Sequence, residues 1–551
     1  MKLPFLTRVA CVCAIAVMVF GPGCGRPGRP GESGTRVETG THEQILHWAN
    51  GPEPQDIDPQ TVTGIIEHNV ITSLFEGLVS EDPVDLHPVP GVAERWDVSP
   101  DGTVYTFHLR PNARWTTGDR VTAGDFVRSY KRILSPTLAS EYAYMLYLVK
   151  NAEAYHKGEL KDFDQVGFKA LDDSTLEITL RAPASYFLSM LNHYSWFPVH
   201  IPTIEKNGPI DSRNNHWTRP ENFVGNGPFQ LKEWKPNQLM IVEKNPLYWD
   251  ADRVKLHAIH FHPIESQDTE ERAFRSGQLH ITHEVPLTKI DVYKREQPDR
   301  IRIDPWLGSY FYRLNVTRPP LNDKRVRRAL ALAIDRESLV KNVTRGGQQP
   351  AYNLTPPGTA GYTSQAKLSG DVAEARRLLA EAGFPNGKGF PKLNIHYDTK
   401  EMHRSIAEAI QQMWKVNLNI DVGLMNQEWK VYLDTQKRLD YDIGRYGWIS
   451  DYVDPNSFLD MFLSYGGNNQ TGFKNPEYDR LIEEANRTGD RDKRYELYQK
   501  AEAVLMDELP IIPIFFYTRT YLIHPDVKGW NTTILDRHPY KYVWLEASAR
   551  K

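Results

Sequence analysis

Arg445, Gly447, Ile449 and Asp451, each two residues from the next, set a cation, a bare backbone and an anion along one stretch of chain. If residues 442–449 are extended, alternate side chains share a face and these four look the same way. Recognition is the chemistry open to such a face. Gly447 lets another chain approach its backbone, Trp448 beside it offers a broad apolar wall, and main-chain hydrogen bonds along an open strand edge would hold an extended peptide of any sequence. Asp451 would supply a countercharge for a free amino terminus. The same residues equally suit an ordinary buried strand followed by a capping acid.

Other groupings carry less. His42 and His47 stand five apart in His-Glu-Gln-Ile-Leu-His, whereas a zinc-protease helix needs four for both rings to face the metal. In the strand-like run 255–262, His260 and His262 would share a face and His257 would point away, which reads as a polar strand face better than as a metal site. Nucleophile elbow, Walker loop and dinucleotide fingerprint are all missing from the sequence. The glycine-rich turn 224–228 lacks the lysine and length of a phosphate cradle. No catalytic residue, metal ligand or cofactor site is expected, and acid pairs mean nothing without geometry.

The elements that must position these residues belong to a long chain. At 551 residues it exceeds one core and suggests about two to four domains. The composition is 40% hydrophobic and 25% charged, with net charge -4, becoming -6 without residues 1–23, which carry Lys2, Arg8 and no acid. Nothing in that balance suits a nucleic-acid surface, which would be strongly basic. Lys2 and Arg8 precede an apolar run over 9–20 and then Gly21-Pro-Gly-Cys24. The run is too short to span a bilayer and fits an export signal. Gly-Pro-Gly-Cys resembles a bacterial lipoprotein cleavage site, although Gly21 stands where Leu is usual, so simple secretion stays open. All three cysteines, Cys11, Cys13 and Cys24, lie here, leaving the mature chain no intramolecular disulfide and no cysteine metal site. Residues 25–41, rich in Gly, Arg, Pro, Ser and Glu, read as a flexible tether.

Further along, residues 44–48 alternate like a first strand and 63–75 recur at helical spacing. Residues 91–110 read as a hairpin about Pro100-Asp-Gly102, followed by a helix capped near Thr122 with Asp125 three residues on. Asn322 is expected to cap one helix, 371–382 to form another ending at Gly383, and 476–507 to hold two broken at 488–490. Two strands, 511–517 and 519–523, would close the structure. Helices alternate with strands throughout, so the class is mixed α/β.

Several of these pieces stand in a familiar order: Trp115 to Arg132, Phe223-Val-Gly-Asn-Gly-Pro-Phe-Gln-Leu231 with Trp234, Asn245-Pro-Leu-Tyr-Trp249, Phe274-Arg-Ser-Gly-Gln-Leu279 and Asn322 to Leu330. Together they resemble the family 5 extracellular solute-binding proteins, the peptide-binding components of ABC importers, over residues 42–545. The resemblance implies a two-lobed periplasmic-binding-protein fold with mixed sheets, a hinge and an inserted domain. Its boundaries would be signal peptide 1–23, tether 24–40, first lobe 41–75, 201–307 and 518–551, inserted domain 76–200, and second lobe 308–517.

It also implies roles. Asp451 matches the acid that pairs with the ligand's amino group. Gly447, Trp448 and Ile449 match one backbone edge of the groove, and Thr63, Gly64 and Ile65 the other. Trp429, Tyr142 and Tyr517 match aromatic wall positions, though each alone reads as readily as a core aromatic. Arg445 and His403 fall where members meet the peptide's carboxylate. Gln436 departs from the pattern, which has a basic residue there, and Lys437 would face the wrong way in a strand. The implied protein is a monomeric, non-enzymatic receptor, periplasmic or at the cell surface, held to a membrane by lipidated Cys24. It would deliver short peptides to an ABC permease. Murein peptides, dipeptides or a non-peptide ligand on the same fold remain open, and a secreted hydrolase is the remote alternative.

Overall fold

The computed structural model describes residues 34–213 and 215–548. The export signal, Cys24 and most of the expected tether lie outside these residues. The last part of that tether does not stay loose. Arg36–Glu43 is a helix, because Thr35 and Glu38 close a reciprocal capping box at its start.

Three sheets organise the chain. The first runs in the order Ile45–Ala49, Ala258–His262, Leu239–Lys244, Phe229–Lys235, parallel across its first pair and antiparallel beyond. The second is the expected hairpin, Ala93–Val98 with Val104–Leu109, extended by Thr175–Thr179 and Phe168–Asp172. Its turn forms because Gly102 takes φ +70°, a conformation cheap only for glycine. One continuous apolar core joins these two sheets: Leu46, Trp48, Phe107, Trp115, Trp196 and Phe261 all belong to it.

The third sheet has six strands, in the order Gln349–Pro350, Ile511–Leu522, Ile301–Leu314, Ile443–Ile449, Leu393–Asp398, Val422–Gln427. Separate apolar cores cover its two faces, one built on Tyr310, Tyr312 and Trp414, the other on Phe311, Phe458 and Tyr498. Its two longest strands leave it together. Residues 301–305 pair with 518–522 beside the first sheet, and 309–313 pair with 511–516 inside the third. The ladder is irregular between Pro305 and Ser309, where proline has no N–H to donate.

Two sequence expectations need correction. The closing pair of strands is one strand, Ile511–Leu522, since no turn residue interrupts its apolar run. The helix expected behind Asn322 starts one residue later, with Asp323 accepting from the Arg325 amide as its cap. The helices Val372–Glu381, Pro476–Asn486 and Arg491–Glu508 lie where their caps place them.

Candidate functional site

The Ile443–Ile449 strand is the centre of the site. It pairs along its whole length with Ile301–Leu314, from Ile443↔Leu314 to Ile449↔Gly308. On its other side Leu393–Asp398 pairs only with Ile443 and Gly444. From Arg445 onward that edge is open. Which amides face it follows from the strand's ends. The Asp442 carbonyl accepts from the Asn315 amide at 2.9 Å, and the Ser450 amide donates to the Leu307 carbonyl at 2.8 Å. Even-numbered residues therefore point into the sheet and odd-numbered ones away. The Tyr432 hydroxyl caps the Arg445 carbonyl, leaving Gly447 and Ile449 to present main-chain groups. Tyr517 lies so close to Gly447 that any Cβ there would strike its hydroxyl.

Past the strand, Asp451 occupies a bend. Its side chain is only 15% exposed, yet both oxygens are poorly satisfied. Tyr142 and Tyr144 donate to them at 3.5 Å each, long for O–H···O bonds. His193 stands 3.9 Å away but is neutral, since burial and then Arg537 push its pKa well down. Arg537 spends its guanidinium elsewhere, one nitrogen on Glu81 at 2.6 Å and the other on the Asp451 carbonyl at 2.6 Å. Burial pushes the Asp451 carboxyl up to about 6, against the pull of Arg537. No cationic side chain among the described residues lies against its oxygens, because the one ion-pair distance they make is to neutral His193.

Thr63, Gly64 and Ile65 are tied to this pole through the residue before them. They lead into the Ile65–Leu74 helix with Gly64 extended at its cap. The preceding Val62 carbonyl accepts from Tyr194 at 3.2 Å, and Tyr194 stands 5.7 Å from the Tyr142 ring. Thr63 and Ile65 are exposed.

Other expected residues take different parts. Trp448 is half-buried: it packs against the core that contains Phe458 and donates to Ser457 at 3.3 Å. Trp429 is 47% exposed and lies beside Tyr432 at 6.1 Å. The segment after it is the helix Trp429–Lys437, not a strand. Gln436 is buried against Gly444, and Lys437 is exposed. Arg445 and His403 do come together, but around the chain's own Asp398, 3.2 Å from Arg445 Nη1 and 3.0 Å from His403 Nδ1.

Sequence reasoning missed Tyr144, His193, Arg537, Asp398 and Asp460. The repeat Tyr142-Ala-Tyr144 was a usable signal; the others depend on distant parts of the chain. Asp460 accepts from Asn456 at 3.2 Å, and burial, then Asp451 and Asp454, push its carboxyl up to about 7.

The histidine face is polar, as expected, and it is also covered. His47 is the register partner of His260, and its Nδ1 lies 3.2 Å from His262 Nε2. His47 and His262 are buried and His260 is half-buried; helix Arg36–Glu43 packs over the face, with Gly40 against His47 and His280.

The pattern of bacterial extracellular solute-binding proteins, family 5 Middle, matches residues 87–470. The periplasmic oligopeptide-binding protein OppA of Salmonella typhimurium is 41% identical over 502 residues, 89% of this chain and 90% of that protein. The murein tripeptide binding protein MppA of Escherichia coli superposes with a TM-score of 0.83 at 35% identity, covering 91% of this chain and 98% of that one. An MppA structure described as the unliganded open form gives 0.72, covering 91% and 97%. Haemophilus influenzae OppA in complex with RPPGFSPFR gives 0.82 at 34% identity, covering 91% and 99%.

Proposed function

Because the chain belongs to the bacterial extracellular solute-binding proteins of family 5, we propose that it captures short peptides as extended strands between two lobes and delivers them to an ABC permease. One observation carries this reading: the open edge of residues 445–449 runs to a buried carboxylate that has no cation. A peptide strand would pair with the Gly447 and Ile449 main chain, and its α-ammonium would meet Asp451 between the Tyr142 and Tyr144 hydroxyls. Taking an ammonium out of water is costly, but the fold has already desolvated the acid. Thr63, Gly64 and Ile65 would line the facing side, with Tyr517 and Trp429 as aromatic walls.

These contacts go to backbone and amino terminus, which ordinary peptides share, so variable side chains are left to wetter surroundings. The S. typhimurium relative is named for oligopeptide binding, and the H. influenzae structure holds a nine-residue peptide. Both support the reading. A murein peptide is the second candidate, supported by the likeness to MppA; it keeps an amine anchor and changes what lies beyond. An oligosaccharide has no amine, and a buried unpaired acid disfavours it.

We read the protein as a carrier rather than an enzyme, as its relatives are solute-binding proteins. The S. typhimurium relative is periplasmic, and no helix among the described residues is long and apolar enough to cross a membrane. Placement outside the cytoplasm, anchoring through lipidated Cys24 and action as a monomer complete the proposal. Native mass spectrometry of gently purified protein tests it. Co-purified peptides of mixed sequence with free amino termini are expected; a single non-peptide ligand would overturn the reading.

A further inference from the structure

The cluster around Arg445 has the parts of a carboxylate receptor, yet it already contains a carboxylate. Asp398 ends the Leu393–Asp398 strand, and its Oδ1 lies 3.2 Å from Arg445 Nη1 and 3.0 Å from His403 Nδ1. Arg445 Nη2 donates to the Tyr517 hydroxyl at 3.0 Å. Its guanidinium carbon sits 5.0 Å from the Tyr310 ring centre. The remaining Nε is buried without a partner, and with Nη1 on Asp398 and Nη2 on Tyr517 the fork that would grip an incoming carboxylate is already engaged. His403 and Asp398 are buried as well, with side chains 2% and 7% exposed.

The charges agree with the geometry. Burial and then Arg445 push the His403 imidazole down to about 4. Burial works against ionising Asp398, but His403 and Arg445 outweigh it and hold the carboxyl below its usual range. At neutral pH the contacting groups are therefore one cation, one anion and a neutral ring; Lys400, which also acts on Asp398 and His403, is exposed to solvent. An arriving carboxylate would have to displace Asp398 from a buried pair, and leaving a buried charge unpaired is strongly unfavourable.

We infer that Asp398 takes the place of the ligand's terminal carboxylate, so that this receptor grips a peptide by its amino end and does not read its carboxyl end at Arg445 and His403. This rests on the peptide-binding reading and sets its substrate class. Peptides whose carboxyl end is amidated, or which continue past this point as an ordinary peptide bond, would be bound as well as those that stop there. The carboxylate contact that the family resemblance implied for Arg445 and His403 is then made internally.

Calorimetry with trialanine and trialanine amide, each with a free amino terminus, tests the inference on the unaltered protein. Affinities within about threefold of each other are expected, since no free ion pair distinguishes them. The Asp398→Asn variant, which frees the Arg445 charge, should favour the acid over the amide by about tenfold or more. A preference of that size in the unaltered protein would overturn the inference while leaving peptide capture intact. Failure of both peptides, and of tetraalanine in either form, would remove the peptide reading and the inference with it.

Discussion

Asp451 differs from Asp58 and Asp454, two buried acids that each hold an arginine, by what it lacks. Asp58 and Asp454 are held by Arg132 and Arg494, at 2.7 and 2.5 Å, whereas Asp451 has long hydroxyl contacts and a pKa pushed up to about 6 by burial. The consequence for binding has a definite sign. A peptide ammonium needs the ionised acid, so below pH 6 binding must first expel a proton, and Kd should rise roughly tenfold per pH unit. Above pH 6 the affinity should stay level until the peptide's own amine loses its proton near 8. Burial and then Arg537 hold the His193 imidazole well below its usual range, and Asp460, pushed up to about 7, is a second group able to move this midpoint. In Asp451→Asn the acid limb should flatten and affinity should fall by about 2–5 kcal/mol; titrations from pH 4.5 to 8 would check both. An acid limb that survives the substitution would assign it to another group. For the empty fold the sign is reversed. Stability contributed by this group is full below the ordinary carboxylate value and lost as pH rises through 6.

The groove strand works because Gly447 and Ile449 present their main-chain groups along the unpaired edge. At Gly447 a methyl group would collide with the Tyr517 hydroxyl, and that hydroxyl also accepts from Arg445. Gly447→Ala should therefore weaken all peptides alike, by about 1–3 kcal/mol. Adding Tyr517→Phe, which removes the atom struck, should recover part of the loss, and calorimetry on the three variants reads it. Much of this element was legible in the sequence. The alternation of Arg445, Gly447 and Ile449 placed them on one face, and Gly102, the Thr122–Asp125 box and Gly383 marked turns and helix ends through local chemistry. What Trp448 packs against could not be read from the sequence, because its neighbours come from the core that holds Phe458 and from Ser457. Asp398 was invisible for a similar reason. Nothing in a lone acid at a strand end says that an arginine 47 residues on will close over it.

Across the whole molecule, the α/β architecture and the order of its motifs could be read from the chain, and the solved relatives share that fold at TM-scores of 0.82 and 0.83. The contacts between distant segments could not. Tyr186 stacks on Tyr452 at 5.4 Å, Ser185 accepts from Arg494 at 3.5 Å, and Arg537 bridges Glu81 to the Asp451 carbonyl. These contacts join the unit proposed to be inserted, and the C-terminal segment, to the six-stranded half. The lower likeness to the open MppA form agrees with a closed arrangement. Closure of that kind would seal the peptide's amino end at Asp451, and under the proposed two-lobed reading the two crossing strands, irregular at 305–309, would be the place to flex. The most direct test is a calorimetric comparison of trialanine with N-acetyl-trialanine at pH 7. Tight binding of the free peptide, with a loss of about a hundredfold or more on acetylation, is the result this account predicts. Equal affinity for the two would contradict it.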